Sequence, residues 1–192
     1  RNNAVCEKCI AGTKLNAIKY GCYRQSKVLT TPVVIMQLFH ERIGTWRKCV
    51  DMFVAATNFS RQKLIESGLP PERIAVRPNF FVSAPEPDYN NEGYALFLGR
   101  LSPEKGVRTL LKAWKNLADI PLKIVGDGEL KNEVEEAANH HHTIEFLGHQ
   151  SHEKCLELMR RAMFLVMPSE WYEGFPMTIR EAFACGKPVI GS

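Results

Sequence analysis

The stretch YALFLGRLSPEKGVRTLLKAWKNL, residues 94–117, decides how the rest of the chain is read. It opens with an apolar run, YALFLG (94–99), in which apolar and polar residues do not alternate. After a short polar loop, PEKGVRTLLKAWKNL (103–117) places apolar residues at helical spacing. A strand without alternation is buried on both faces, and a helix directly after it belongs to a crossover between parallel strands. The same succession recurs downstream. LKIVGDG (122–128), TIEFLG (143–148) and MFLVMPS (163–169) read as strands, followed by helices in ELKNEVEEAANH (129–140), HEKCLELMRRA (152–162) and PMTIREAFACG (176–186). KPVIGS (187–192) starts another strand. The class is α/β, a Rossmann-like parallel sheet covered on both faces.

Upstream, MFVAA (52–56) reads as a buried strand, NFSRQKLIESG (58–68) as a helix capped by Asn58 and ended by Gly68, and LPPERIAVRPN (69–79) as a turn and short strand. Between the two α/β pieces, SAPEPDYNNEG (83–93) is rich in Pro, Asn and acids and reads as a linker. The expected division is therefore residues 1–82, a linker over 83–93, and a second domain over 94–192.

Composition narrows the function classes. Apolar residues at 45% and charged residues at 24% are ordinary globular values and exclude disordered and fibrous classes. The longest apolar stretch, VLTTPVVIMQLF (28–39), is too short and too interrupted to span a bilayer. The net charge of +4 is uneven: residues 1–82 carry 13 basic and 5 acidic side chains (+8), residues 83–192 carry 12 and 16 (−4). A basic front half suits an anionic membrane surface or an anionic acceptor; without a dense run of charge it equally suits a solvated surface. Cys6, Cys9 and Cys22 have metal-like spacing, CEKC followed by a third cysteine. A structural zinc site wants a fourth ligand, either upstream of Arg1, Cys49 or a histidine; reduced thiols are the alternative.

Ligands of open α/β sheets bind outside the carboxyl ends of the strands. Four loops stand there. GRLSPEKG (99–106) supplies Gly99 for close backbone approach and two cations, Arg100 and Lys105, suited to phosphate; its spacing is not the dinucleotide fingerprint. VGDGE (125–129) supplies Gly126 and Asp127, which suit a tight turn with Asp127 capping the next helix, or contact with a base or ribose. GHQ (148–150) places Gly148 and His149 where backbone groups can meet a flat base. The fourth loop, SEWYEGFPMTIREAF (169–183), is the most informative. With Pro176 as the first helical residue, the amides of Met177 and Thr178 form an anion site at the positive end of the helix dipole. Glu173 lies before the helix, and Glu181 about one and a half turns into it, leaning back toward its start. One carboxylate thus flanks each side of a bound phosphate.

FLGRLSPEKG (97–106), IVGDGEL (124–130), IEFLGH (144–149) and PSEWYEGFPMTIREAFACGKPVI (168–190) together resemble the retaining, nucleotide-sugar-dependent glycosyltransferases of the GT-B fold, family 4. Residues 50–79 resemble the end of that family's N-terminal domain, and CEKC…C a subset with cysteines there. The resemblance implies that Arg100 and Lys105 neutralise the donor diphosphate and that Glu181 holds the ribose hydroxyls. It implies that Glu173 acts at the reacting side of the sugar, while the backbone of Gly174, Phe175, Pro176, Met177 and Thr178 holds sugar hydroxyls and phosphate. No cofactor is expected beyond the optional zinc. The chain contains no Asp-x-Asp triplet, in keeping with that fold's metal-independent strategy. The implied partners are a nucleotide sugar and a saccharide or lipid-linked acceptor, not nucleic acid; the implied place is cytoplasmic, peripheral on the inner membrane face, in cell-surface polysaccharide or glycoconjugate synthesis. The family's Gly-rich N-terminal loop is missing, so the chain is expected to be a fragment, truncated at both ends and inactive alone. Two alternatives stand beside this: a GT-B sugar-nucleotide epimerase, or a non-catalytic Cys-bearing interaction or membrane-docking module.

Overall fold

Short apolar runs bounded by Gly, Pro and Asn become strands here, and each is returned to the sheet by a helix. The computed structural model describes residues 5–10, 12–81, 85–117 and 119–192. It forms two compact units, Arg1–Asn79 and Phe80–Ser192. The first two residues of the expected linker, 83 and 84, lie outside the described residues.

The first unit begins with three helices, α1 (Leu15–Tyr20), α2 (Lys27–Arg42) and α3 (Thr45–Lys48). The apolar stretch 28–39 lies within α2, started by Ser26, whose Oγ accepts from the Leu29 amide at 3.3 Å. Among the described residues no helix is long and apolar enough to cross a membrane. Then β1 (Phe53–Ala55), α4 (Asn58–Glu66) and β2 (Ile74–Val76) make a βαβ unit, with Phe53 opposite Ile74 in parallel register. The cap of α4 is Thr57 rather than Asn58. Thr57 keeps extended backbone and its Oγ1 accepts from the Ser60 amide at 3.0 Å, so Asn58 already lies inside the helix.

The second unit carries a five-stranded, wholly parallel sheet: β3 (Ala95–Leu98), β4 (Leu122–Val125), β5 (Ile144–Gly148), β6 (Phe164–Met167) and β7 (Val189–Gly191), in the order β5-β4-β3-β6-β7. Helices α5 (Val107–Trp114) and α6 (Lys131–His140) join β3 to β4 to β5; α7 (His152–Arg161) and α8 (Met177–Ala184) join β5 to β6 to β7. The side-chain period of two divides the strands between two cores. Ala95, Phe97, Leu122 and Ile124 pack with α5 and α6 residues such as Leu110, Trp114 and Val134. Leu96, Val125 and Leu165 pack with Leu158, Met159 and Ala182 of α7 and α8. Unalternating apolar strands and a doubly covered parallel sheet are thus the same fact, as the sequence led us to expect.

Strand order reverses between β3 and β6, which opens a crevice at their carboxyl ends. The segment before β3 lies along this unit: the Asp88 amide donates to Cys185 O at 3.0 Å, the Glu92 amide to Arg161 O at 2.8 Å, and the buried Lys187 ammonium to Asn90 O.

The expected helix over 103–117 is split. A single 3-10 turn, Pro103–Lys105, precedes Gly106, and α5 starts only at Val107. Gly106 has φ +68°, and a Cβ there would stand 1.6 Å from the Pro168 carbonyl oxygen. Only glycine lets the loop after β3 press against the loop after β6.

Candidate functional site

The reversal of strand order brings the loops after β3, β4, β5 and β6 to one rim, and backbone hydrogen bonds stitch them together. The Gly99 amide donates to Val125 O at 3.1 Å, Gly126 to Gly148 O at 2.9 Å, Leu101 to Asp127 O at 2.9 Å, and Glu170 to Glu104 O at 2.9 Å. Gly126 serves this stitching, since a Cβ on it would fall 1.8 Å from Gly99 O. Asp127 does not cap α6, whose N-cap is Leu130; its Oδ1 accepts from the Gly128 amide at 2.9 Å and fixes the turn itself. Gly148 has φ +66°, and a Cβ there would meet nothing within 4 Å, so it is a turn glycine rather than a packing one.

A cleft of about 380 Å³ opens on this rim. Of the residues expected from sequence, Gly99, Arg100, Gly126, Asp127, His149, Thr178 and Glu181 line it. Leu98 and Val125 supply apolar wall. Arg100 is exposed and has no side-chain partner among the described residues. Glu181 is buried, 7% exposed, and one of its carboxylate oxygens, Oε1, lies 3.1 Å from His152 Nε2. Cys155, one turn further along α7, also lines the cleft; burial, reinforced by the Glu181 carboxylate, pushes its thiol up. A larger groove of about 830 Å³ lies between α5 and α6, away from the loops that follow the strands.

Lys105 and Glu173 form a second group on the rim. Lys105 Nζ is 2.6 Å from Glu173 Oε1, and Ser169 Oγ donates to the same oxygen at 2.6 Å. Partial burial alone would push the Glu173 carboxyl up, but the Lys105 and Ser169 hydrogen bonds and the lysine charge outweigh it and hold it below the usual carboxylate value. The sequence placed Lys105 with Arg100 as a free cation; the structure shows it engaged by Glu173.

The amino end of α8 lies between these groups in sequence. Pro176 is the N-cap, not the first helical residue: its φ of −63° suits a helix but its ψ of 139° is extended, so α8 starts at Met177. Glu181 is then the fifth helical residue, about one turn in. Among the described residues no side chain caps this end and no acid lies in its first turn, so the Met177 and Thr178 amides keep their donor capacity. Phe175 has φ +81°, a conformation rare for a side-chain-bearing residue, and the kind of local strain that collects at functional corners. A Cβ on Gly174 would meet nothing within 4 Å.

The three front cysteines are not gathered into a metal site. Among the described residues no group of three or more His, Cys, Asp or Glu is placed to hold a metal ion, and Cys6 and Cys22 are exposed as free thiols. CEKC spacing alone does not fix the approach of a third ligand from α2's side of the chain. His152 and Ser169, which grip the two glutamates, were missed in the sequence. Each is a single polar residue in a loop or helix start, and only the fold shows which carboxylate it meets.

This arrangement has relatives. The chain is 41% identical over 109 residues to an uncharacterized glycosyltransferase of Methanocaldococcus jannaschii, covering 56% of this chain and 30% of that protein. It is 34% identical over 110 residues to the O-antigen chain mannosyltransferase B of Escherichia coli, covering 53% and 29%. The chain thus spans less than a third of the length of either relative. Among solved structures, the lipopolysaccharide outer core galactosyltransferase WaaB superposes with a TM-score of 0.60 at 25% identity, over 73% of this chain and 43% of that one. Anabaena HepE in complex with UDP-glucose superposes at 0.59 and 25% identity, over 73% and 44%. These neighbours are GT-B glycosyltransferases, so the sheet described above is part of a GT-B fold. The family of glycosyl transferases group 1 matches residues 81–192, which is 112 of 192 residues. By that match the chain belongs to the glycosyl transferases group 1.

Proposed function

We propose that this chain holds the donor half of a retaining glycosyltransferase that moves a hexose from a nucleotide-diphosphate sugar to a saccharide or lipid-linked acceptor. The observation that carries the reading is the convergence on one rim of Arg100, the Lys105–Glu173 pair, the uncapped amino end of α8 and the buried Glu181. The leaving group of such a reaction is a nucleoside diphosphate, whose negative charge grows as the glycosidic bond breaks. Arg100, the Lys105 ammonium and the Met177 and Thr178 amides supply fixed positive charge for it without a metal ion. Glu181 accepts from the ribose hydroxyls. Glu173 stands on the sugar side, kept ionised by Lys105 and Ser169, so it can accept from sugar hydroxyls and face positive charge at the reacting carbon. Gly174 to Thr178 offer backbone to the sugar and phosphate, and Gly126, Asp127, Gly148 and His149 border the base and ribose. The names of the relatives, an O-antigen chain mannosyltransferase and a lipopolysaccharide outer core galactosyltransferase, support a place in cell-surface polysaccharide or glycoconjugate assembly.

The test is binding, because these 192 residues alone are expected to hold the donor without turning it over. A panel of nucleotide-diphosphate sugars is titrated by calorimetry against the parent, Arg100→Ala and Glu181→Ala. Loss of a charge-assisted hydrogen bond predicts a roughly 10- to 100-fold weaker Kd in each variant. Binding indifferent to both substitutions removes the assignment.

A further inference from the structure

We infer that His152 is a positioning residue that fixes the Glu181 carboxylate, and through it makes the cleft select a ribose diol over deoxyribose. The inference rests on the reading of Glu181 as the ribose acceptor. His152 is the first residue of α7, whose start is set by Ser151 Oγ accepting from the Lys154 amide at 3.2 Å. From there its Nε2 reaches Glu181 Oε1 on α8, 3.1 Å away, the one side-chain partner of that carboxylate among the described residues. Among the described residues Glu181 Oε2 has no partner, it is not sealed from solvent, and the residue lines the cleft. One oxygen is therefore held and the other is open.

A glutamate side chain has three torsions, and a carboxylate with neither oxygen held can turn either edge to the cleft. Pinning Oε1 leaves Oε2 a single outlook, while the carboxylate keeps enough lone pairs to accept from two neighbouring hydroxyls. His152 itself contributes little packing: its side chain is 69% exposed, against 9% for that of Glu181. A residue so exposed, in contact with a carboxylate so buried, acts on the carboxylate more than on the fold. Arg180, the neighbouring cation on α8, is turned away and stacks on the Phe81 ring at 3.7 Å.

The experiment titrates the full chain with UDP, GDP and ADP, then compares the tightest of them with its 2′-deoxy counterpart. The parent is expected to prefer the ribonucleotide by about tenfold, the scale of one hydrogen bond to a charged acceptor. His152→Ala is expected to erase most of that preference, by weakening the ribonucleotide more than the deoxynucleotide. His152→Gln, whose amide N–H can still donate to Oε1, restores much of it. Unchanged preference in His152→Ala overturns the inference, whether affinity holds or falls equally for both nucleotides. Glu181→Ala is measured in parallel. If it leaves affinity intact, the ribose reading of Glu181 fails and this inference with it; if it weakens binding while His152→Ala does nothing, only this inference fails.

Discussion

Gly106→Ala tests whether the two halves of the rim depend on one backbone contact. The added Cβ would stand 1.6 Å from Pro168 O, where real Cβ contacts do not fall below 3.0 Å, so the loops must separate by at least 3.0 − 1.6 = 1.4 Å. The atom it meets is a backbone carbonyl next to β6, which cannot swing aside as a side-chain tip would. Holding alanine at φ +68° costs about 1–2 kcal/mol. Relieving the overlap costs about 1–3 kcal/mol, as for overpacking in a well-filled interior. A separation of that size also breaks the 2.9 Å bond from the Glu170 amide to Glu104 O, worth about 1 kcal/mol. The sum is about 3–6 kcal/mol, a large share of the 5–15 kcal/mol typical of a folded domain. Because Lys105 and Glu173 sit on the two loops being parted, donor binding should weaken with stability. Denaturant unfolding by circular dichroism gives the first quantity and calorimetric titration the second. Gly174→Ala is the control: its Cβ meets nothing within 4 Å, so it should leave stability unchanged or raised by about 0.4–1 kcal/mol while still weakening donor binding through the backbone it crowds. A Gly106→Ala protein within about 1 kcal/mol of its parent, the low end of the strain alone, would refute the reasoning.

Two pH dependences follow from buried and paired groups. Partial burial works to raise the Glu173 carboxyl, but the Lys105 and Ser169 hydrogen bonds prevail and its folded value lies below 4.5, so its ionised form favours the folded state. That contribution is complete above 4.5 and disappears as pH falls through the lowered value; unfolding curves of the parent and Glu173→Gln should therefore converge on acidification, and curves that stay parallel would contradict it. Tyr94 behaves in the opposite sense. Burial, with a smaller push from Glu92, raises its phenol from 10.0 to about 12, so the unfolded chain ionises first. Stability should fall between pH 10 and 12 by ~1.4 kcal/mol per unit, ~3 kcal/mol in all. Tyr94→Phe should flatten that decline while losing ~1 kcal/mol at neutral pH, because Leu158 O loses the 2.7 Å bond from the phenol. An alkaline decline of the same depth in Tyr94→Phe would exclude Tyr94 as its source.

The order of strands and helices in the second unit was legible because each strand is an unbroken apolar run and each turn is marked by Gly, Pro or Asp. The spacing of Glu173 and Glu181 around a Gly-Phe-Pro corner was legible for the same local reason. What sequence could not yield depends on which distant strands become neighbours. Lys105 and Glu173 are 68 residues apart and meet only because β3 lies beside β6; His152 and Glu181 are 29 apart and meet only because α7 and α8 share a face. Local details failed where two residues competed for one role. Thr57 took the cap from Asn58 because its backbone was already extended, and Pro176 took the N-cap because its ψ, not its φ, departs from the helix. Phe175 left no mark in the sequence beyond its place between Gly174 and Pro176.

The pairing of Lys105 with Glu173 changes how the electrostatics of the proposed site must be counted. Taken as separate groups, Arg100 and Lys105 would present two free positive charges to a diphosphate. Paired, Lys105 and Glu173 are together neutral, which leaves Arg100 and the partial positive charge of the α8 amino end as the free attraction. In the proposed site an incoming diphosphate would gain from Lys105 only by sharing its ammonium with Glu173, which an ammonium with three donors permits without breaking the pair. That sharing ties the phosphate to the sugar side of the site. In the proposed reaction, charge building on the leaving phosphate would draw Lys105 toward it and leave Glu173 less fully neutralised as positive charge grows on the sugar carbon. One lysine would thereby serve both ends of the breaking bond in the proposed reaction, and Gly106, by letting the two loops touch, is what would allow it.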